Sequence, residues 1–412
     1  MTTIPTTPLD ATLPGALTPP SATAPAATRP PRLDSVDLLR GVVMIIMALD
    51  HVRDFFSSAR FDPTDLTQTT TALFYTRWIT HFCAPVFVLL AGTGAYLSLG
   101  RGRSKADLSR FLLTRGLWLA LLEITVIKLA FQSIDYTVTG GYILQVIWAL
   151  GWSMVALAAL IHLPMRALVL VSAIMIAGHN LLDGIAPEAF GAFAWLWPLL
   201  HVPTATAGEP GGAQVVVIYP LIPWIGVMAL GYALGALLGR EDLRFDATKR
   251  RRTLIALGTA LTVGFVALRF ANIYGDSSRW AMQKTSIFTL LSFLNTTKYP
   301  PSLLFLLMTL GPALIALALC EHWQGRSATF VRIFGRVPLF YYVMHAVLIS
   351  NLAVAIWIYL ERTGRQPTPE TGGWGLPVVY LIWFGIVAAL YPLCRWFAEV
   401  KARRRDAWLS YL

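Results

Sequence analysis

Asp37, Arg40, Asp50, His51, Arg53 and Asp54 all fall within or at the ends of one apolar stretch, residues 36–56. Ionisable groups inside a bilayer are costly, so their presence calls for a reason. Arg40 and His51 are eleven positions apart. On an α-helix that spacing returns to within about 20° of the same face, about 16 Å farther along the axis. One face thus presents a guanidinium near one mouth and an imidazole deep in the span. A neutral imidazole accepts a proton near neutral pH, and a guanidinium fork grips phosphate or carboxylate in a way that Lys does not. Asp37, one turn before Arg40, can pair with it, and Asp54, one turn after His51, could hold its other ring nitrogen. Asp50 points about 100° away from His51 and is a less natural partner. Plainer readings stay open: Arg40 as a positive-inside anchor, Asp37 as a helix-start residue favoured by the macrodipole, and His51 as a polar packing residue.

These residues must be positioned by a membrane fold. The chain has 412 residues, of which 56% are hydrophobic and 13% charged, whereas a soluble domain carries about a quarter charged residues. Ten stretches are long enough to cross a hydrocarbon core of roughly 30 Å as helices. They lie near 36–56, 74–99, 111–131, 142–163, 165–182, 215–238, 253–274, 301–321, 334–360 and 377–398. With the N-terminus in the cytoplasm, cytoplasmic segments hold 19 Lys and Arg against 6 on the opposite side. That asymmetry predicts an even number of spans with both termini inside. The expected fold class is therefore all-α: a polytopic helix bundle of about ten transmembrane helices.

The net charge of +11 reports topology rather than a nucleic-acid partner. Residues 1–31, rich in Pro, Thr and Ala, read as a disordered cytoplasmic tail, 32–398 as the transmembrane domain, and 399–412 as a basic cytoplasmic tail. Cys83, Cys320 and Cys394 show no CxxC spacing, so neither a disulfide framework nor a metal site is expected. No alternating β pattern and no transporter-like repeat is visible; the sixth stretch, with Pro220 and Pro223, is the one candidate for a broken helix. The loops 183–214 and 275–300 are long and aromatic enough to form short interfacial helices or a lid.

Further ionisable and aromatic residues lie at membrane depth. His81 could approach His51 if the first two helices pack as a hairpin. Tyr341 and Tyr342 suit packing or the interfacial belt, while His345 sits deeper and favours function. Glu123 needs a partner, either Lys128 or a residue of another helix. His162, His179, His201 and His322 fall at helix ends or in loops, where ordinary solvated roles suffice. Gly226, Gly231 and Gly235 read as close helix packing.

The run Asp37-Leu38-Leu39-Arg40-Gly41, with His51 beyond it, looks like the first-helix signature of the membrane acyltransferase 3 family, in which an Arg and a His at that separation are essential. The lead-in Arg32-Leu33-Asp34-Ser35-Val36-Asp37 resembles the heparan-α-glucosaminide N-acetyltransferase-like branch of the same superfamily. Three later segments extend the likeness in the expected order: Thr80-His81-Phe82-Cys83-Ala84-Pro85, Tyr219-Pro220-Leu221-Ile222-Pro223-Trp224, and Gly335-Arg336-Val337-Pro338-Leu339-Phe340-Tyr341-Tyr342-Val343-Met344-His345. One feature departs from the branch. Its naming enzyme carries a functional His in the loop after the first helix, whereas loop 57–73 holds none and the imidazole lies within the span at His51.

The resemblance implies an integral-membrane acyltransferase that uses cytoplasmic acyl-CoA, with acetyl-CoA as co-substrate, no metal, and a sugar or other cell-envelope acceptor. With the chemistry of the residues themselves, this makes His51, Asp54, His81 and His345 the catalytic candidates, and Arg40, paired with Asp37, the candidate for the CoA phosphates. Expected surroundings are membrane lipid in a bacterial-type inner membrane, with a homodimer as a further expectation. The competing readings are a proton-coupled transporter or flippase, in which Asp50, His51 and Glu123 would relay protons, and a structural membrane subunit.

Overall fold

The computed structural model describes residues 1–2, 33–100, 102–131, 141–202, 205–206, 215–364, 373–404 and 406–411. Residues Arg32–Leu412 form one compact unit, and the tail read at 1–31 lies, from residue 3 on, outside the described residues.

That unit is an all-α bundle. Its helices are α1 (Asp34–Phe56), α2 (Thr71–Thr80), α3 (Cys83–Leu99), α4 (Lys105–Leu122), α5 (Lys128–Ala130), α6 (Val146–Leu160), α7 (Met165–Gly178) and α8 (Trp197–Leu200). There follow α9 (Leu221–Leu238), α10 (Glu241–Arg244), α11 (Ala247–Ala271), α12 (Ser286–Leu294), α13 (Leu303–Cys320), α14 (Arg326–Arg336), α15 (Pro338–Arg362) and α16 (Leu376–Arg403). Each of the ten apolar stretches coincides with one or two of these. Among the described residues, seven helical spans are long and apolar enough to cross a membrane by length and composition alone. The charged residues of α1 and α4 and the 15-residue length of α6 keep those three off that count. Strands β1 (Tyr142–Leu144), β2 (Ala205–Thr206) and β3 (Val215–Val217) make a small sheet in the order β1-β3-β2. In it β1 runs parallel to β3, with Tyr142 opposite Val215.

The sixth stretch is not broken. Pro220 is the N-cap of α9 and Pro223 lies in its first turn, where a missing N–H costs nothing because those donors have no intrahelical acceptor. The interrupted span is the second one, between α2 and α3 at His81 and Phe82. Pro85 explains it: proline has no N–H to give the carbonyl four residues back, and its ring clashes with that carbonyl, which belongs to His81. The external loops carry short helices, including the 3₁₀ segment Pro187–Leu196 and α12. At the C-terminal end α16 continues to Arg403, and Tyr411 returns to α4, its ring 5.8 Å from Phe111 and its hydroxyl 2.8 Å from Thr114 Oγ1.

Glycine sets the closest helix approaches. A Cβ added to Gly231 would overlap the Leu89 carbonyl, and one on Gly235 would crowd Thr93, so α9 lies backbone to backbone on α3. Gly116 and Gly151 do the same for α4 and α6, and Gly258 and Gly311 for α11 and α13. In α1 and α14, Gly41 faces the Val331 carbonyl and Gly335 faces the Asp37 carbonyl. Small residues at such crossings allow van der Waals contact that lipid cannot replace. Gly335→Ala is therefore expected to force α14 off α1, with a loss of about 1–3 kcal/mol typical of overpacking. A lowered melting temperature of the detergent-solubilised protein checks this, and an unchanged melt contradicts it.

Candidate active site

Helical spacing fixes the first pair: Arg40 Nη1 lies 3.3 Å from Asp37 Oδ1 and 3.4 Å from the Gly335 carbonyl of α14. Asp37 is almost wholly buried, so the guanidinium beside it compensates a carboxylate that would be costly alone. Arg40 forms part of the wall of a cavity of about 360 Å³ between α1, α3, α4, α6 and α15. Arg103 and Arg115 line the same cavity, and Arg103 is held over the Phe111 ring, 4.2 Å from its centre. Deeper, the wall is apolar, with Met44, Met47, Leu90, Leu119, Ile147 and Leu150, and one side of it is Tyr342.

Tyr342 is where the cavity meets the histidines. His51 itself is not among the lining residues. Its ring centre lies 6.4 Å from that of Tyr342 and 5.2 Å from that of His345, and Phe131 covers it at 5.2 Å. His345 is fully buried in α15, one turn after Tyr342, with the two ring centres 5.4 Å apart. Its Nδ1 is 2.9 Å from the Tyr341 carbonyl oxygen. A carbonyl only accepts, so Nδ1 carries the proton and Nε2 is left as a lone pair. That Nε2 and the Tyr342 hydroxyl are both buried without a hydrogen-bond partner among the described residues.

The other expected residues stand apart from this pair. Asp54 is half exposed and ion-paired with Arg53, with no hydrogen bond to the His51 ring among the described residues. His81 sits at the break between α2 and α3, with its ring 5.4 Å from Phe305 and its Nδ1 buried and unpartnered among the described residues. It faces a second polar cluster, around Asp50 at the far end of α1. There Arg77 of α2 gives two hydrogen bonds to the Asp50 carboxylate, at 2.7 and 2.6 Å, Thr80 adds one at 2.9 Å, and Arg53 lies at 3.0 Å. Buried Lys298 lies within electrostatic range of the same carboxylate. Asp50 thus pairs with Arg53 of its own helix and, through two hydrogen bonds, with Arg77 of α2.

Glu123 falls in a π-helical turn, Glu123–Ile127, that follows α4. Its carboxylate takes a backbone N–H from Trp148 at 3.0 Å, with Gln145 and Ile147 also donating, and so caps the N-terminus of α6. Such a cap satisfies donors a helix start leaves open. Lys128, the other suggested partner, lies over the Tyr142 ring at 3.7 Å.

A family model for the catalytic region of heparan-α-glucosaminide N-acetyltransferase matches residues 32–274. The chain belongs to this family. No curated protein matches it. Family membership makes the chain a membrane transferase of the acetyltransferase type. The matched region includes Arg40, His51 and His81 and ends before α15, and the fold brings Tyr342 and His345 of α15 beside His51. Arg77, Arg103 and Arg115 were not singled out by sequence. Arg77 and Arg115 lie in spans whose apolar character dominates, and Arg103 among the loop charges that report topology. Among the described residues of this acetyltransferase, no group of three or more His, Cys, Asp or Glu is placed to hold a metal ion.

Proposed function

We propose that the protein transfers an acyl group, acetyl in the first instance, from cytoplasmic acyl-CoA to a sugar or other acceptor of the cell envelope, in a bacterial-type inner membrane. The observation that carries this reading is the shape of the cavity: arginines at one end and a tyrosine backed by two imidazoles at the other. Arg40, with Arg103 and Arg115 beside it, suits the phosphates of CoA, since guanidinium groups bind phosphate through charge-assisted hydrogen bonds. The apolar wall between them and Tyr342 suits the pantetheine arm. His51 takes the proton of the attacking hydroxyl or amine, with His345 as the second imidazole of the pair. Asp37 holds Arg40 in place.

The transporter reading loses support from Glu123, whose carboxylate is engaged by the start of α6 rather than open to a proton path. The test is CoA release from acetyl-CoA by the purified protein, with glucosamine-ended and other envelope acceptors supplied in turn. Acceptor-dependent release is expected. Absence of release with every acceptor, together with pH-driven uptake into proteoliposomes, would overturn the proposal.

A further inference from the structure

Acyl transfer needs two complementary groups at the carbonyl: an acceptor for the nucleophile's proton and a donor for the oxygen that becomes negative. The imidazoles supply the first. The second must be an N–H or O–H at the closed end of the cavity. The three arginines line that cavity, and Asp37 and Arg40 hold each other at the end where α1 begins. Among the described residues, Tyr342 alone both lines the cavity and stands in ring contact with His51 and His345. Its hydroxyl is buried and unpartnered among the described residues. A buried donor left open is costly and calls for an explanation, of which a bound ligand is one, and among the open donors of the described residues Tyr342 is the one whose ring lines the cavity. His345 Nε2, an open acceptor, lies one helical turn away. An orphan donor and an orphan acceptor on rings whose centres are 5.4 Å apart are the two halves that a tetrahedral intermediate requires.

We propose that Tyr342 is a catalytic residue whose hydroxyl donates a hydrogen bond to the thioester carbonyl oxygen during acyl transfer, an assignment that rests on the acyltransferase reading above. The nucleophile's heteroatom bonds to the carbonyl carbon and its proton goes to the imidazole. The carbonyl π pair moves onto oxygen, held by the Tyr342 O–H, which keeps its own proton throughout. When the C=O re-forms, the carbon–sulfur bond breaks, the pair leaves with sulfur, and the imidazolium returns the proton to give the free CoA thiol. The acyl product and CoA thus balance the acyl-CoA and acceptor consumed.

The experiment compares Tyr342→Phe, and Tyr342 replaced by 3-fluoro- and 3,5-difluorotyrosine, with the parent in the CoA-release assay. Phenylalanine keeps the ring that closes the cavity and removes only the donor. The expected result is a fall in kcat of about 10²-fold, the size of one lost oxyanion donor, with the KM for acetyl-CoA within about a factor of two. The fluorinated side chains keep the hydroxyl and the fold, and kcat should change in step with phenol acidity, which a purely structural tyrosine would not produce. A Tyr342→Phe enzyme within about threefold of parent kcat, or a fluorotyrosine series without a trend, overturns the assignment while the acyltransferase reading stands. A parent protein that releases no CoA overturns both.

Discussion

Alanine at His51 is expected to lower acceptor-dependent CoA release by about 10²- to 10⁴-fold, the contribution of a positioned general base, and asparagine at His345 to lower it as far. The two rings are 5.2 Å apart, on α1 and α15, with His345 fully buried and His51 partly so. Asparagine is the informative replacement at His345, because its side-chain amide can keep the hydrogen bond to the Tyr341 carbonyl that now fixes Nδ1. Only the Nε2 lone pair is lost, so a fall in rate reports chemistry rather than a disturbed α15. Groups that act as a unit are strongly non-additive. The double variant His51→Ala/His345→Asn should therefore be no slower than the worse single variant by more than about threefold. Single and double variants are compared by kcat with acetyl-CoA saturating and by melting temperature. If the losses multiply, the imidazoles have independent roles; if either single variant keeps parent activity, that residue leaves the catalytic set.

What could be read from sequence and what could not divides along physical lines. Contacts within one helix are fixed by the 3.6-residue period, so the Asp37–Arg40 pair was legible from spacing alone. The apolar stretches were legible because a bilayer demands about twenty apolar residues per helix, and α1 and α4 were found despite charges that a bare hydropathy count rejects. The break at His81 is also open to sequence, since Pro85 stands four residues on, whereas Pro220 and Pro223 fall at a helix start, where proline is harmless. Contacts between helices distant in the chain were not legible. Helical phase speaks only to neighbours on α1 and holds no information about Arg77 of α2, which pairs with Asp50. Tyr342 read as packing because the same aromatic character serves a lipid-facing belt and a cavity wall. Glu123 could not be assigned because its partners are backbone N–H groups at the start of α6, which carry no side-chain signature. The expected bond from Asp54 to His51 followed the right spacing, but Arg53 next door is a stronger partner for a half-exposed carboxylate.

Arg40→Ala is expected to lower kcat/KM for acetyl-CoA by about 30- to 4000-fold, as truncation of a charge-assisted, partly buried contact costs about 2–5 kcal/mol. The loss should fall on KM, because the phosphates are bound alike in the ground and transition states. Two further measurements separate this role from a structural one. With S-acetylpantetheine as donor, which has the thioester but not the nucleotide phosphates, parent and variant should be equally poor, since the contact in question is then absent from both. Arg40→Lys should recover little, because a point charge does not reproduce the planar fork. Removing the guanidinium also takes an ion-pair partner from Asp37, a buried carboxylate beside the α1–α14 crossing, and a buried charge that loses part of its compensation destabilises. The double variant Arg40→Ala/Asp37→Asn should accordingly regain melting temperature but not acetyl-CoA affinity. A variant whose KM for acetyl-CoA stays at the parent value, or one that falls as far below the parent with S-acetylpantetheine as with acetyl-CoA, would remove Arg40 from the donor site and return it to the role of a membrane-edge anchor.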